Sequence, residues 1–145
     1  MTRIAIPLAM LLAGSGVTAA TATEPPVPDI RPATGVVAED FLWRSRLIVV
    51  FADSQDDPRF VTQMELLHDR PARLAERDVV VITDTDPAAR SDIRVAFRPR
   101  GFMLVLIGKD GAILLRKPFP WDTREITRSI DKTPFRQREL DSAGR

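Results

Sequence analysis

Cysteine is absent from the 145-residue sequence, and histidine occurs only once. Without cysteine the chain has no disulfide, no thiol redox chemistry, no thiolate metal site and no attachment point for a lipid on cysteine. His68 lacks a second histidine with which to share a metal ion, so we expect it to be an ordinary helix residue. A Gly-rich phosphate loop, a Ser-His-Asp set and a basic patch with interleaved aromatic residues are also missing. The sequence therefore predicts no cofactor and no nucleic-acid partner.

An excess of charge of one sign is missing too. The formal net charge is +1, and Arg3 is the only charged residue among residues 1–22. Residues 23–145 consequently carry equal numbers of acidic and basic side chains. This balance offers no overall attraction to nucleic acid or to anionic lipid.

Long hydrophobic runs are scarce, and the longest lies in residues 1–22. Arg3 precedes an apolar core, IAIPLAMLLA, and a small-residue tail ends at Ala22 in an A-x-A pattern. The apolar core has about ten residues, whereas a membrane-spanning helix needs roughly 20. We therefore predict a secretory signal peptide cleaved after Ala22, with export to the periplasm or secretion from a bacterium, and no membrane span after cleavage.

Residues 23–36 form a proline-rich segment, TEPPVPDIRPATGV, without hydrophobic periodicity. Its composition predicts an extended, disordered leader. The folded domain is predicted to span residues 37–140, with FLWRSR (residues 41–46) as a helical turn near its start. Residues 141–145 would then form a short tail.

Three short apolar runs indicate buried strands. Residues 46–52 (RLIVVFA), 78–83 (DVVVIT) and 102–108 (FMLVLIG) are nearly continuous and rich in β-branched or aromatic residues. That pattern is typical of central strands covered on both faces. A fourth run, residues 112–117 (AILLRK), follows Lys109-Asp110-Gly111, which predicts a tight hairpin between the third and fourth strands.

The segment between the first two strands has helical periodicity. Apolar side chains recur there at spacings of four and three: Phe60, Met64, Leu67, Pro71 and Leu74. Asp56 or Asp57 is predicted to cap this helix, with Pro58 at a tolerated early position. Because proline lacks a backbone N–H, Pro71 is expected to kink or split the helix.

Two further helices complete the pattern. Asp86 is predicted to cap a short helix that ends near Val95, and Asp122 a last helix over residues 123–131. The element order is then β-α-β-α-β-β-α. Two parallel strands joined by a right-handed helical crossover, followed by a hairpin and a closing helix, predict an α/β, thioredoxin-like fold with a mixed central sheet.

Four blocks of sequence carry a family resemblance. They are RLIVVFA at 46–52, LAERDVVVI at 74–82, GFMLVLIGKDG at 101–111 and SIDKTPFRQREL at 129–140. Together they resemble a bacterial family of exported proteins, domain-of-unknown-function family 4174, which is also similar to terminal domains of secreted animal sushi-repeat and coiled-coil-domain proteins. The resemblance implies a thioredoxin-like or peroxiredoxin-like fold over about residues 37–140 and no particular activity.

In a thioredoxin-type site, the first strand delivers a cysteine to the N-terminus of the first helix, where the helix dipole stabilises the thiolate. The corresponding stretch here, ADSQDDP at residues 52–58, has no such nucleophile. Ser54 would need an adjacent base to act as one. The sequence predicts the scaffold of such a site without its chemistry.

Acidic residues follow the first two predicted strands. Asp53 comes after the first strand, and Asp84 and Asp86 come after the second. They would lie at the edge where open α/β sheets bind ligands, and their oxygens suit Mg²⁺ or Ca²⁺. A metal-dependent or carboxylate-base enzyme is therefore one hypothesis. The alternative is that these acids, together with Asp56 and Asp57, only cap helices and shape turns.

Residues 98–102 precede the third predicted strand and face the same edge. Phe102 occupies the position where thioredoxin-like folds usually have a cis-proline, so substrate-peptide docking of the usual type is not expected. Arg98 and Arg100, beside Gly101, either bind an anion against helix N-terminal amides or pair with the nearby acids.

The last block of the resemblance contains Pro134, Arg136 and Glu139. Arg136 and Glu139 are three residues apart, which suits an ion pair on one helical face that ties the tail to the domain. A tail that binds a partner is the alternative.

These observations favour an exported, non-catalytic binding or interaction module for an unknown protein or small ligand. Its predicted binding surface consists of residues 53–57 and 98–102, which we call the strand-end face. The enzyme described above and a structural component of the cell envelope are the alternatives.

Overall fold

Five strands form one mixed sheet in the computed structural model, which describes residues 23–145. The predicted signal peptide, residues 1–22, lies outside the described residues. The strands are β1 (Asp29–Pro32), β2 (Arg46–Phe51), β3 (Val79–Asp84), β4 (Met103–Ile107) and β5 (Ile113–Lys117). Their spatial order is β1-β3-β2-β4-β5; β3 runs parallel to β1 and β2, whereas β4 is antiparallel to β2 and to β5.

Helices cover both faces of this sheet. They are α1 (Pro58–Asp69), α2 (Pro71–Ala75), α3 (Asp92–Phe97), α4 (Thr123–Asp131) and α5 (Pro134–Ala143), with one-turn 3-10 helices at Ala38–Phe41 and Pro87–Ala89. Helices α1, α2 and α4 contribute to the hydrophobic cluster on one face of the sheet. Helix α3 and the first 3-10 helix contribute to the cluster on the other face. The predicted α/β class with a mixed sheet is confirmed.

Two of the three predicted central strands are buried along their full length, and β3 is half-buried at Val80 and Thr83. Every residue of β2 and of β4 is buried, as expected for continuous apolar runs covered on two faces. Side chains alternate along β2, so Ile48 and Val50 pack in the cluster with α1 and α4, whereas Leu47 and Val49 pack in the cluster with α3. The predicted hairpin is present, with Gly111 at φ +81° in its turn.

The expectation of a disordered leader is wrong from Asp29 onward. Residues Asp29–Pro32 pair in parallel with β3, and the Ala33 N–H continues this pairing by donating to the Thr83 carbonyl at 2.9 Å. Ala33 and Val36 are buried against the sheet. A proline is tolerated because β1 is an edge strand, and an edge strand needs few apolar residues. The sheet accordingly has five strands, one more than the sequence pattern predicts.

The structure refines the boundaries of the first two predicted helices and confirms the third. Pro71 separates α1 from α2, so the predicted helix is split and not merely kinked. The single helix predicted from Asp86 to Val95 is two elements, because Arg90 adopts a left-handed conformation and Ser91 starts α3 afresh as its N-cap. The predicted last helix is confirmed as α4 with the Asp122 cap.

The predicted boundary at residue 140 falls inside a helix. Thr133 caps α5 through the Arg136 N–H, and Pro134 occupies a first-turn position. Helix α5 contributes no buried residue, so hydrophobic periodicity gave no signal for it. Among residues 23–145, no helix is long and apolar enough to cross a membrane.

Candidate functional site

The turn between β2 and α1 is held by local polar contacts. The Asp57 Oδ1 accepts a hydrogen bond from the Arg59 backbone N–H at 2.9 Å, and its Oδ2 pairs with Arg59 Nη2 at 2.9 Å. The Arg59 side-chain hydrogen bond, followed by the backbone one, lowers the pKa of Asp57. Ser54 Oγ accepts from the Asp56 N–H at 3.1 Å, which shapes the turn. Of the two predicted caps, Asp57 is the one used.

Asp84 is buried at the end of β3 and is fully engaged. Its Oδ1 accepts hydrogen bonds from Arg94 Nε at 2.9 Å and Arg94 Nη2 at 2.8 Å, and its Oδ2 accepts from Ser91 Oγ at 2.5 Å. Arg94 also donates to the Ala52 carbonyl at 2.8 Å and lies over the Phe51 ring. This pair therefore joins the carboxyl ends of β2 and β3 to α3 and has a structural role.

The three acids proposed for a metal site do not combine into one. Asp84 turns toward Arg94, whereas Asp53 is exposed, and its Oδ2 lies 4.0 Å from the position a Cβ would take on Gly101. Asp86 is exposed and caps the 3-10 helix by accepting from the Ala88 N–H at 3.1 Å. Within residues 23–145, no group of three or more acidic, histidine or cysteine side chains is arranged to hold a metal ion.

The predicted pairing of Arg98 and Arg100 with these acids is wrong for the described residues. Both arginines are exposed, and neither forms an ion pair with any of residues 23–145. Arg98 ends α3 in a left-handed conformation, its N–H donating to the Arg94 carbonyl at 2.8 Å. Phe102 is buried, and the Arg59 guanidinium lies over its ring at 5.7 Å. The strand-end face thus presents two cations that have no ion-pair partner among residues 23–145.

Sequence reasoning missed Arg94, Ser91 and Arg59. Arg94 lies between Ile93 and Phe97 on the inward side of α3, where a charged residue needs a buried partner. Ser91 precedes the Asp92-Ile93 start of that helix, which is a recognisable N-cap signal. Splitting the predicted helix at Ser91 would have directed attention to Arg94.

A second polar cluster lies at the opposite edge of the sheet, where β2 begins. Arg46 has a relative exposure of 1%, and its guanidinium donates to Glu139 Oε2 and to the Arg77 carbonyl, both at 2.9 Å. Lys109 Nζ pairs with Glu139 Oε1 at 2.7 Å, and Arg136 Nη1 donates to Oε2 at 3.1 Å. The predicted Arg136–Glu139 ion pair is present. Through Glu139, α5 is tied to β2 and to the β4–β5 turn.

The cationic surroundings of Glu139 determine its protonation. Burial raises the pKa of this carboxyl, but hydrogen bonds from Lys109, Arg46 and Arg136 outweigh burial and lower the pKa to about 2. In the same cluster, a two-bond contact from Arg77 lowers the pKa of Asp131. Both carboxyls are therefore held in the ionised form that the arginines need.

His68 is exposed on α1, and its Nδ1 lies 2.7 Å from the Met64 carbonyl. His68 forms no ion pair with any of residues 23–145, and it has the ordinary helix position that the sequence predicts.

Solved structures show which class of protein this fold defines. The chain matches chloroplastic thioredoxin z with a TM-score of 0.55 and 21% identity, over 74% of this chain and 99% of that one. It matches desulfothioredoxin from Desulfovibrio vulgaris Hildenborough with a TM-score of 0.53 and 21% identity, over 74% and 100%. A 2-Cys peroxiredoxin from Plasmodium vivax matches with a TM-score of 0.54 and 13% identity, over 66% and 81%. The protein is thus a thioredoxin-like domain, and at these identities the likeness concerns the fold alone.

The family follows from the sequence comparison. Residues 37–139 match the model of the family described as "Domain of unknown function (DUF4174)", and the chain belongs to that family. A comparison with curated protein sequences finds no significant match. Because the chain has no cysteine, thiol redox activity is excluded.

Proposed function

We propose that this domain is a non-catalytic binding module and that the strand-end face, residues 53–57 and 98–102, receives an anionic group of a partner protein or small ligand. The observation that supports this most strongly is the contrast in pairing at that face. Asp57 has an arginine partner within the fold, as has the neighbouring Asp84, whereas Arg98 and Arg100 have no ion-pair partner among residues 23–145. Guanidinium groups in this state are available for a carboxylate or phosphate from outside. The exposed carboxylates Asp53 and Asp56 are likewise without an ion pair among these residues, so a ligand with both an anionic and a cationic group would suit the face.

The geometry also argues against chemistry at this face. A nucleophile would need a base within hydrogen-bonding reach, and Ser54 instead accepts from a backbone N–H at 3.1 Å. The buried carboxylate of Asp84 is neutralised by Arg94, so it is not available as a base or as a metal ligand.

Charge reversal at the face tests the proposal. The protein would be used as bait in an extract of its own cells, comparing Arg98→Glu/Arg100→Glu with a matched variant, Arg73→Glu/Lys132→Glu. Arg73 and Lys132 are exposed, outside the strand-end face, and likewise without ion pairs among residues 23–145. We expect a partner that the wild type and the matched variant retain and that the Arg98/Arg100 variant loses, with equal melting temperatures. Equal retention by all three proteins would refute the proposal.

The alternative binding surface is α5, and it needs a separate variant. Arg138 is exposed on α5, so Arg138→Glu changes the helix surface without removing Glu139 or Arg136. Loss of the partner in this variant, with retention in Arg98→Glu/Arg100→Glu, would move the binding surface from the strand-end face to α5.

Export is part of the same proposal. The first strand begins at Asp29, so cleavage after Ala22 leaves every described element intact. Mass spectrometry of the protein from a periplasmic or culture fraction should find Thr23 as the first residue. An intact Met1 terminus on protein confined to the cytosol would contradict export.

A further inference from the structure

An open groove lies on the sheet face that α3 covers, between α3 and the first 3-10 helix. Its cavity volume is about 500 Å³, and we call it the α3 groove. Leu47 and Ile107 form its floor, Ile93 and Phe97 of α3 form one wall, and Phe41 and Leu42 form the other. Volumes of this size are typical of sites for small organic molecules, which occupy roughly 300–1,000 Å³.

The covering elements are too short to close this groove. Helix α3 has 6 residues and the 3-10 helix opposite has 4. As a result, Val37 and Leu42 remain 38% and 37% exposed although both line the groove. Because burial of apolar surface is favourable, an apolar molecule that covers these exposed side chains would lower the free energy.

Two carboxylates border the apolar lining. Glu39 belongs to the 3-10 helix and Asp92 to the first turn of α3, so they approach the groove from its two walls. Both are exposed, and neither forms an ion pair with any of residues 23–145. Two arginines lie over aromatic rings of the walls, Arg116 over Phe97 at 5.5 Å and Arg31 over Phe41 at 5.7 Å, and neither forms an ion pair with Glu39 or Asp92. The two charged residues among those that line the groove are therefore both carboxylates, beside a mainly apolar interior.

We infer that the α3 groove binds a small amphiphilic cation, with a hydrocarbon or aromatic body in the apolar cavity and an ammonium or guanidinium group at Glu39 and Asp92. Charge complementarity selects a cation over an anion of the same shape, and the apolar lining selects an amphiphile over a free inorganic ion. The groove shares no residue with the strand-end face, so this site does not depend on the proposed function.

Three probes of equal chain length separate the two contributions: octylammonium, 1-octanol and octanoate. Binding to the full chain would be measured by calorimetry and by backbone amide shifts at low ionic strength. We expect octylammonium to bind about three- to tenfold more tightly than octanol, and octanoate more weakly than octanol. Shifts should concentrate at Leu42, Ile93 and Phe97. The preference for the amine should shrink as salt is added.

Matched variants assign the effect to the groove. Glu39→Gln/Asp92→Asn should remove the preference for the amine and leave octanol binding unchanged, whereas Glu65→Gln, an exposed carboxylate on α1, should change neither. Ala96→Phe fills the groove and should abolish binding of all three probes, whereas Val95→Phe on the same helix should not, since Val95 does not line the groove.

Several results would overturn the inference. They are equal affinity for the three probes, octylammonium binding that survives Ala96→Phe, and wild-type shifts centred away from α3. The last of these decides the question even if Ala96→Phe does not fold. A dimer that sedimentation detects and that Ala96→Phe dissociates would assign the groove to a second copy of the chain and would also overturn it.

Discussion

Arg94 and Asp84 form a buried ion pair at the carboxyl edge of the sheet, with Arg94 Nη2 and Asp84 Oδ1 2.8 Å apart. The same guanidinium donates to the Ala52 carbonyl, immediately before the turn where a thioredoxin-type site would carry its nucleophile. The ion pair and this hydrogen bond therefore hold the carboxyl ends of β2 and β3 together. The buried acid at this edge, Asp84, stabilises the fold, whereas the exposed Arg98 and Arg100 have no ion-pair partner among residues 23–145.

Removing Asp84 should be severely destabilising. In Asp84→Ala, Arg94 stays buried without its counter-charge, which should lower the free energy of unfolding by about 3–5 kcal/mol. Asp53→Ala removes an exposed acid from the same edge and should change the free energy of unfolding by less than about 0.5 kcal/mol. Urea denaturation of both variants checks the difference. Similar values for the two would contradict the structural role of Asp84. Replacing both partners, as in Asp84→Leu/Arg94→Met, should recover part of the loss because no orphaned charge remains.

Glu139→Gln should destabilise the protein in a pH-dependent way. At neutral pH, Arg46 and Lys109 lose their shared anion, which we expect to lower the free energy of unfolding by about 2–4 kcal/mol. The folded-state pKa of Glu139 is about 2, below the ordinary value of 4.5, so its contribution is complete above that ordinary value and is lost as the pH falls through the folded one.

The difference between the wild type and Glu139→Gln should consequently shrink between about pH 5 and about pH 2 in chemical denaturation. Glu65→Gln is the control, because Glu65 is exposed and forms no ion pair with residues 23–145. A gap that stays constant across this range would show that Glu139 is not held ionised by its neighbours.

Gly101→Ala tests the backbone at the strand-end face. Gly101 has φ +66°, and a Cβ there would lie 3.6 Å from Arg59 Nη2, which is an ordinary contact. The cost should therefore come from the left-handed backbone alone, about 1–2 kcal/mol. Gly144→Ala, at a position without positive φ, should change stability by less than about 0.5 kcal/mol. Thermal denaturation of the two variants measures this difference. A Gly101→Ala variant as stable as the wild type would refute the expected backbone cost.

Divalent cations should leave the fold unaffected. Asp53, Asp84 and Asp86 do not converge, so we expect Mg²⁺ or Ca²⁺ at millimolar concentration to change the melting temperature of chelator-treated protein by less than about 1 °C. A rise of several degrees that disappears in Asp53→Ala would contradict this and revive the metal-dependent enzyme.

The parts of the fold that depend on continuous apolar burial could be predicted from the sequence. The strands β2, β3 and β4 follow from runs that are buried on two faces, and the Asp57 and Asp122 caps follow from acids placed directly before helices. These features are determined by residues near one another in the chain. For that reason a single sequence is enough to find them.

Features determined by partners distant in sequence could not be predicted. The strand β1 forms because β3 leaves an edge open, and the sequence of residues 29–32 carries no apolar signal for it. Helix α5 is held by Glu139 to Arg46, 93 residues away, instead of by a hydrophobic face. Likewise, the choice of Arg94 over Arg98 as the partner of Asp84 depends on where α3 begins.

Site-specific photo-crosslinking in cells can decide whether the strand-end face binds a partner. A photoreactive phenylalanine analogue would replace the exposed Gln55 in that face, Lys132 at the end of α4, or Arg138 on α5, each in full-length protein in its own cells. If the strand-end face binds the partner, the analogue at Gln55 should give a discrete crosslinked product that is absent when the analogue is at Lys132 or Arg138. A product from Arg138 or Lys132 and none from Gln55 would contradict binding at this face.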